Sequence, residues 1–391
     1  MPGPIQESRP VSKPSLLIVS FSPIVDDARV LKQVRAFADR YRVTTCGYGP
    51  APDGVAEHLE IGTEHGALDT DFRLIAARLY RAAYSSTSAV KEARRLLRGR
   101  AFDVVLANEA ETAPIALELA PASRIHVDLH EYYPRLHDDV PAWVFWRAPY
   151  ARWLCRRFVA RVASTTTVGG GLAREYEKEF GFRPGVVTNA TPFRDIRPHA
   201  VGSPIRLVHS GAALRNRDLT LLIDGVARSR AEVELDMYLM PHEPDHLAEL
   251  KEKAETTGGR VRVLDPVPYD RLIPTLTAYD MGVHVLPPGN FNNRWALPNK
   301  FFDYVQARLG LIVGPSPEMA GTVEARGLGV VTSDFTADAL AAALDTLTPD
   351  AVAGFVAASD AAARELSADA QVAGWERAID AIAAQPESPR R

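Results

Sequence analysis

Short apolar runs alternate with amphipathic segments along the first half of the chain. The runs SLLIVS (15–20), YRVTTC (41–46) and FDVVLA (102–107) have the length and composition of strands, whereas residues 26–41 and 72–98 have helical spacing. Apolar runs without alternation are typical of strands buried in a parallel sheet. The repeated order of strand, helix and strand therefore predicts an α/β domain with a doubly wound sheet.

The same alternation restarts after residue 204. Helical segments separate further strand-like runs, which are IRLVH (205–209), VELDMYLM (233–240), RVRVLD (260–265), MGVHVLPP (281–288) and LGLIVGPSP (309–317). Residues 337–384 are largely alanine-rich and helical in pattern. The second half therefore predicts another α/β unit of similar size, and two such domains joined by a linker would enclose a cleft.

Breaks in this pattern predict the domain boundaries. Residues 1–14 are polar and proline-rich, which predicts a disordered tail, and residues 193–204 lack periodicity, as expected of a linker. The predicted domains are an N-terminal one at 15–192 and a C-terminal one at 205–365. Residues 366–391 are predicted to form a C-terminal helix, packing back on the N-terminal domain, and a tail.

Composition limits the class of protein. A chain of 391 residues exceeds what one hydrophobic core usually supports, and 46% hydrophobic with 24% charged residues is ordinary for a globular protein. The net charge of -4 gives no reason to expect nucleic acid. Cys46 and Cys155 are too few for a disulfide framework or a metal site, which favours a reducing cytoplasm. No apolar run has the length that crosses a bilayer, so we expect a soluble or peripheral protein.

Three loops at predicted strand ends are rich in polar groups, namely residues 22–29, 108–112 and 130–133. Ligands of open α/β sheets bind beyond the carboxyl ends of the strands. His130 and Glu131 follow directly from the strand RIHVDL. Their position suits both a group that faces the cleft and a structural hydrogen-bonding pair, and the local sequence leaves both open.

Residues 141–162, PAWVFWRAPYARWLCRRFVARV, mix aromatic and basic side chains at helical spacing. Such a segment suits an anionic membrane surface, with Trp143, Trp146 and Trp153 at the interface. Two prolines interrupt it, and aromatic stripes also pack inward. Peripheral membrane contact is therefore one of two hypotheses for this segment.

The segment LPNKFFDYVQ contains the most informative motif of the second half. Pro298 suits an early position of a helix, with Asn299 and Lys300 in its first turn. A helix N-terminus and a lysine suit an anion such as a diphosphate, and Asp303, one turn on, is an acceptor for sugar hydroxyls. The alternative is a plain surface helix whose core face is residues 301–305.

Two glycine-containing loops extend this picture. Gly211 lies in a small-residue loop after IRLVH, where the backbone can approach a ligand, and Arg215 and Arg217 follow it as phosphate donors. Gly169–Gly171 precede a helical segment. They suit either a phosphate or a tight strand-to-helix turn.

Taken in order, these motifs resemble those of the GT-B glycosyltransferases. The resemblance is to the large retaining family of bacterial exopolysaccharide, teichuronic acid and phosphatidylinositol mannosyl enzymes, and to its Pro-Asn-Lys subgroup. It spans nearly the whole chain after the tail. The segments that resemble the family are DARVLKQV, DLHEYYP, VVTNATP, HSGAALRNRDLTLLIDG, VPYDRLIPTLTAYDMGVHVLPP and LPNKFFDYVQARLGLIVGPSPEM.

The resemblance implies two Rossmann-like domains facing across a cleft, with a nucleoside diphosphate sugar held mainly by the C-terminal domain and the acceptor by the N-terminal one. It implies that Arg217 and Lys300 contact the donor diphosphate and that Asp303 accepts the ribose hydroxyls. It also implies that His130 faces the donor sugar. Arg29 and Glu131 are candidates for acceptor or donor contact.

Two positions depart from the family pattern. The family commonly has two glutamates separated by seven residues, and here the second position is Asp303 and the first is Trp295. The contact to the sugar hydroxyls is then unassigned, with Asn299 as a substitute. Ala212 stands where many members have arginine, a loss for which Arg215 is a candidate replacement.

The leading hypothesis is a cytoplasmic glycosyltransferase, with peripheral contact at the inner face of the membrane left open. It would transfer a sugar from a nucleoside diphosphate donor to a saccharide or lipid-linked acceptor, with retention, in cell-surface polysaccharide or glycolipid synthesis. No cofactor or metal is expected. The alternatives are a nucleotide-sugar 2-epimerase and a non-catalytic sugar-nucleotide or polysaccharide-binding subunit. A dehydrogenase is disfavoured because no strand is followed by Gly-x-Gly-x-x-Gly.

Overall fold

The structure of the protein is a computed structural model that describes residues 13–385. Most of the predicted N-terminal tail and the last six residues lie outside this range. The described chain is built on two parallel sheets, one of seven strands and one of six. The predicted α/β class with doubly wound parallel sheets is therefore confirmed.

The first sheet is formed from the first half of the chain. Its strands are β1 (Ser15–Pro23), β2 (Arg42–Tyr48), β3 (Glu57–Ile61), β4 (Val104–Asn108), β5 (Ile125–Leu129), β6 (Ser164–Thr167) and β7 (Gly185–Val186). They are ordered β3-β2-β1-β4-β5-β6-β7. The helices along this stretch are α1 (Ala28–Phe37), α2 (Phe72–Ala76), α3 (Tyr80–Ser86), α4 (Ser88–Leu96), α5 (Ala113–Leu119), α6 (Pro141–Arg157) and α7 (Gly170–Phe180).

The second sheet is formed from the second half. Its strands are β8 (Ile205–Ala212), β9 (Val233–Met240), β10 (Val261–Leu264), β11 (Met281–His284), β12 (Gly310–Val313) and β13 (Gly329–Val331). They are ordered β10-β9-β8-β11-β12-β13. The helices are α8 (Thr220–Arg228), α9 (Pro244–Glu255), α10 (Tyr269–Leu276), α11 (Phe291–Arg294), α12 (Asn299–Gln306), α13 (Pro317–Arg326), α14 (Ala337–Leu344), α15 (Pro349–Ala362) and α16 (Ala368–Ala383).

The central strands of both sheets are buried on both faces. Every residue of β4, β11 and β12 is buried, as is the apolar stretch 16–19 of β1. Parallel strands covered by helices on both sides need apolar side chains in both directions. This burial explains why the strands read as continuous apolar runs in the sequence.

Local backbone geometry modifies several predicted elements. The helical region predicted at 72–98 is three helices, because Arg78 adopts a left-handed φ of 57° after α2 and Thr87 is extended between α3 and α4. The helix predicted from residue 26 begins at Ala28, since the Asp27 carboxylate accepts hydrogen bonds from the first backbone N–H groups. The strand β3 was not predicted from its sequence, EHLEI, which carries two glutamates and pairs only with β2 in the sheet.

The aromatic and basic segment forms one helix rather than an interrupted one. Pro141 is the first residue of α6, where a missing N–H costs no hydrogen bond, and Pro149 lies inside the helix. No single helix in residues 13–385 is long and apolar enough to span a membrane. Within that range only α14 and α15, taken together, meet that length and composition criterion, and they are bent by 99° relative to each other.

Contacts divide the described chain into two compact units. Among the described residues, the first unit contains 13–130, 149–166 and 375–385, and the second contains 131–148 and 167–374. Residues 187–204, which include the predicted linker, contain no helix or strand. Residues 131–148 and 167–192 thus group with the second half of the chain, although the sequence pattern assigns them to the first domain.

Candidate functional site

The carboxyl edge of the second sheet borders a cavity of about 200 Å³. The ends of β8 and β11, the turn after β8 and the start of α12 all contribute to its wall. Ligands of open α/β sheets bind at this edge. The lining residues are His209, Gly211, Ala212, Leu214, Arg217, Leu219, His284, Val285, Leu286, Pro298 and Lys300. Three predicted site residues, Gly211, Arg217 and Lys300, are therefore brought together at one cavity.

Two cations lie in this cavity without an anionic partner among the described residues. Neither the Lys300 ammonium nor the Arg217 guanidinium forms a hydrogen bond or ion pair with any residue in the range 13–385. Burial, and secondarily the charge of Arg217, lowers the pKa of Lys300 to about 7, against the opposing effect of Asp303. A desolvated amine next to a guanidinium is stabilised by a bound anion. The arrangement is thus suited to an anionic group such as a diphosphate.

Gly211 provides the space for the lysine. A β-carbon at position 211 would lie 2.7 Å from the Lys300 Nζ and 3.5 Å from the His209 Nε2. The first distance is shorter than any ordinary contact, so a side chain at 211 would displace the ammonium group. Gly211 lies near the end of β8 and not in a loop as predicted, and the close approach of side chains to this backbone explains the glycine.

Two buried histidines also line the cavity, and their rings stack with centroids 6.0 Å apart. The His209 Nδ1 lies 2.8 Å from the Val283 carbonyl oxygen, so it donates to that oxygen and leaves Nε2 as an acceptor. Burial, reinforced by the charge of Lys300, holds the pKa of His209 and His284 well below the usual range. Both imidazoles are therefore neutral near pH 7.

His209 and His284 were not among the site residues predicted from the sequence. The available signal was that each lies at the end of a strand-like run, in IRLVH and MGVH. The His284 Nε2 is buried and has no hydrogen-bond partner within residues 13–385. Such orphaned polar atoms are uncommon in native interiors and are expected near functional sites.

Other residues predicted for the donor site lie outside the cavity wall. Arg215 forms a two-point ion pair with Glu249 on α9, at 2.8 and 2.6 Å. Asn299 is exposed as the first residue of α12, and Pro298 is the N-cap rather than part of the helix. Asp303 is buried and accepts a hydrogen bond of 2.5 Å from the Thr191 hydroxyl. Its predicted contact with ribose stays a prediction.

The first unit holds a buried polar network at the carboxyl ends of β4 and β5. The Arg29 guanidinium donates two hydrogen bonds of 2.7 Å to the Asp128 carboxylate. Gln33 donates to the same carboxylate and exchanges hydrogen bonds with Asn108. Burial opposes ionisation of Asp128, but Arg29 and then His130 hold the pKa of this carboxyl well below its usual range. The structure thus places Arg29 in an internal ion pair.

His130 lies at the edge of this network. Its Nε2 is 3.1 Å from the Asn108 Oδ1 and 3.5 Å from Asp128, and its Nδ1 is 3.5 Å from the Glu109 carboxylate. Burial lowers the pKa of His130, but Glu109 and Asp128 together raise it above the ordinary value. Glu109 adopts a left-handed φ of 66°, which is uncommon for a residue other than glycine. The arrangement favours a protonated imidazole.

Trp295 packs against the start of α7. A β-carbon on Gly171 would lie 1.9 Å from the Trp295 indole, and the Arg174 guanidinium lies 5.4 Å from the ring. The Gly171 N–H donates to the Glu318 carboxylate. The start of α7, where the sequence suited a bound phosphate, therefore binds the Glu318 carboxylate instead. Gly171 has no side chain and so leaves room for the Trp295 indole.

Trp295 also borders a second cavity, of about 540 Å³, within the same unit. Carboxylates and arginines make up half of its wall. Carboxylates accept hydrogen bonds from sugar hydroxyls, and arginines donate hydrogen bonds to them. Glu131, a predicted contact residue, is exposed, and its backbone carbonyl accepts from the Tyr176 hydroxyl at 2.7 Å. The residues that line the second cavity are Arg135, Asp138, Asp139, Glu175, Pro288, Gly289, Asn290, Phe291, Arg294 and Trp295.

Comparison with known proteins identifies the fold. Neither a protein-family model nor a curated protein matches the chain. Solved structures do match over nearly its full length. Anabaena Alr3699/HepE in complex with UDP and glucose has a TM-score of 0.64 at 14% identity, covering 94% of this chain and 100% of that one. The α,α-trehalose 6-phosphate synthase of Burkholderia multivorans has a TM-score of 0.66 at 12% identity, covering 96% and 99%. A glycosyltransferase from Rickettsia africae has a TM-score of 0.68 at 11% identity, covering 96% and 100%. The chain therefore has the GT-B fold.

Proposed function

We propose that the protein is a glycosyltransferase that uses a nucleoside diphosphate sugar as donor. The observation on which this rests is the pair of cations, Lys300 and Arg217, that share one cavity at the carboxyl edge of the second sheet and have no anionic partner within residues 13–385. Among proteins of the same fold, HepE has been solved with UDP and glucose. A uridine or other nucleoside diphosphate is the class of ligand that such a cavity suits, with the diphosphate between the two cations.

In the proposed mechanism the anomeric carbon loses its bond to the donor phosphate and gains a bond to the acceptor hydroxyl oxygen on the same face. The hydroxyl proton passes to the departing phosphate, so the anomeric configuration is retained. Lys300 and Arg217 stabilise the charge that develops on the leaving diphosphate. The neutral imidazoles of His209 and His284 line the same cavity and add no positive charge to it. Because Lys300 and Arg217 supply the positive charge, we propose a reaction that needs no metal ion.

Donor binding tests the site directly. Thermal-shift and calorimetric titrations with UDP, GDP, dTDP and ADP, and with their sugars, identify the base, because a ligand that binds the folded state raises apparent stability. We expect Lys300→Ala and Arg217→Ala each to weaken binding about 10- to 100-fold, since each removes a charge-assisted hydrogen bond.

Arg215→Ala is the matched control. This arginine lies two residues from Arg217 but pairs with Glu249 outside the cavity wall. We expect its removal to leave diphosphate affinity within about twofold, since a surface ion pair contributes little to a neighbouring site. Equal losses in Arg215→Ala and Arg217→Ala, or no loss in Lys300→Ala, would refute the assignment of the cavity.

Product analysis separates the enzyme from its alternatives. Transfer to a saccharide or lipid-linked acceptor supports the proposal, and activity that survives chelation supports metal independence. Inversion of a sugar centre without transfer would indicate an epimerase. Tight donor binding without any turnover would indicate a binding subunit. Trp295→Glu would then be the first variant to test, because the family commonly has a glutamate at this position.

We further propose that the acceptor belongs to cell-surface polysaccharide or glycolipid synthesis and that the protein acts in the cytoplasm, with peripheral membrane contact through residues 141–162. Val144 and Phe145 at the start of α6 are exposed, which supports that contact. Trp153 instead packs between Tyr80 and Phe158. The first turns of α6 are therefore the part of the segment proposed to meet lipid.

A further inference from the structure

Residues 68–81 carry a local group of exposed apolar side chains. Among the residues that the structure describes, nine large hydrophobic side chains are exposed, and three of them fall in this segment. Leu68 is 81% exposed, Phe72 is 48% exposed and Leu79 is 56% exposed. Single exposed leucines are ordinary, but a local group of three suggests an interaction surface.

Arginines accompany these side chains. Arg73, Arg78 and Arg81 are all exposed, and none of their guanidinium groups forms an ion pair or hydrogen bond with a residue in the range 13–385. Arg94 and Arg95 of the same unit, in contrast, each pair with a glutamate. With Asp69 and Asp71 counted against the three arginines, the segment has a net charge of +1 on a chain whose net charge is -4.

The two acidic residues of the segment are engaged locally. The Asp69 carboxylate accepts hydrogen bonds from the backbone and the hydroxyl of Ser88, and Asp71 caps the start of α2 by accepting from the Arg73 backbone N–H. Neither carboxylate contacts an arginine side chain of the segment. The guanidinium groups are thus free to meet an external anion.

The backbone presents this surface as two short helices. Helix α2 buries one side chain, Ile75, and the left-handed Arg78 turns the chain directly into α3. The turn places Leu79 at the exposed junction between the helices. Three apolar side chains with flanking arginines match the chemistry of the headgroup region of an anionic bilayer, where apolar groups enter the acyl boundary and arginines bind lipid phosphates.

We propose that residues 68–81 form a docking surface for anionic membranes. Its exposed side chains differ from those at the start of α6, although Tyr80 packs against Trp153 of that helix. This docking role goes beyond the transfer reaction and does not depend on it. Leu68, Phe72 and Leu79 enter the interface, and Arg73, Arg78 and Arg81 bind lipid phosphate. An acidic protein partner and a second copy of this chain are the competing occupants, which the experiment distinguishes.

Vesicle co-sedimentation of the full chain tests this surface. We compare vesicles of phosphatidylcholine alone with vesicles of equal parts phosphatidylcholine and phosphatidylglycerol. We expect binding only to the anionic vesicles, and a steep loss when the ionic strength rises from about 0.1 M to about 1 M. Absence of binding to anionic vesicles overturns the proposal.

Variants locate the surface. Replacing all three arginines by glutamine should weaken binding by about fivefold per arginine, on the order of 100-fold in total. The double variant Phe72→Ser/Leu79→Ser should weaken it about tenfold or more. The matched control is Met240→Ser/Tyr269→Ser, which removes two other exposed hydrophobics and should bind as the wild type does.

Two further measurements distinguish this surface from helix α6 and from self-association. The double variant Val144→Ser/Phe145→Ser reports on α6, and loss of vesicle binding there but not in the variants of residues 68–81 overturns the proposal. A change in oligomeric state of Phe72→Ser/Leu79→Ser, measured by sedimentation velocity, would instead indicate a copy of the chain as occupant. Nucleoside diphosphate affinity should stay unchanged in every variant, so that a failed membrane test remains distinct from a failed donor site.

Discussion

Gly211 and Lys300 approach each other so closely that a β-carbon on the glycine would lie 2.7 Å from the lysine Nζ. The atom that must yield is the far end of a flexible side chain, so the fold can tolerate the substitution while the ammonium group moves. We predict that Gly211→Ala lowers diphosphate affinity about tenfold, as expected for a misplaced charge-assisted hydrogen bond. Calorimetric titration measures the affinity.

The matched control is Gly202→Ala, because a β-carbon at that position meets no atom within 4 Å. We expect both variants to unfold within a few degrees of the wild type, since the flexible Lys300 side chain can move away from a methyl group at 211 and a methyl group at 202 meets open space. A Gly211→Ala protein that binds diphosphate as the wild type does would contradict the role given to the Lys300 position.

The titration of Lys300 predicts how donor binding depends on pH. Its pKa, lowered to about 7, means that the free protein loses this charge as pH rises above 7. A bound diphosphate favours the charged amine and raises its pKa, so binding above pH 7 takes up a proton and affinity falls as pH rises. Calorimetry at pH 8 in buffers of different ionisation enthalpy measures the uptake. Lys300→Arg should bind without proton uptake, and equal uptake in both proteins would assign the proton elsewhere.

The parts of this site that could be predicted from the sequence are those encoded locally. Lys300 follows a proline at a helix start, and Gly211 follows an apolar run, so short-range rules identify both. Arg215 and Arg217 have the same local context, and only the fold separates them, because Glu249 on α9 pairs with one and the cavity receives the other. His209 and His284 become neighbours only through sheet order, which brings the ends of β8 and β11 together.

The fold shows the same difference between features encoded in the local sequence and features that depend on distant segments. Buried central strands have continuous apolar sequences and were predictable. The sequence of the edge strand β3 contains charged residues and does not indicate a strand. Trp295 stands out in the sequence only as a departure from a motif. Its packing against Gly171 depends on two segments far apart in the chain, which no local pattern specifies.

The charge state of His130 is predicted to depend on Glu109. The Glu109 carboxylate lies 3.5 Å from Nδ1 and raises the pKa of the histidine against the effect of burial. Glu109→Gln removes that charge and should lower the pKa of His130, whereas Glu118→Gln, whose carboxylate pairs with Arg94, should not. Histidine side-chain NMR titration gives both values. A pKa unchanged in Glu109→Gln would assign the shift to Asp128 instead.

Buried His126 predicts a loss of stability at acid pH. It forms hydrogen bonds with Ser164 and Thr166, and burial lowers its pKa to about 4. The unfolded chain binds a proton near pH 6.5, so the free energy of unfolding falls as pH drops from 6.5 to 4, by up to about 3 kcal/mol from this group. Denaturant unfolding at several pH values measures the slope, and His126→Gln should flatten it. A slope equal to that of the wild type would contradict the assignment.

The Arg29–Asp128 pair predicts the largest stability effect. Both side chains are buried and joined by two hydrogen bonds of 2.7 Å. Asp128→Ala leaves a buried guanidinium without its counter-ion, which costs about 3–5 kcal/mol of unfolding free energy. The exposed pair Arg326–Glu365 has similar two-point geometry, and Glu365→Ala should cost less than about 1 kcal/mol. Urea unfolding of the two variants gives the comparison. Equal losses would mean that burial does not determine the contribution of the Arg29 pair.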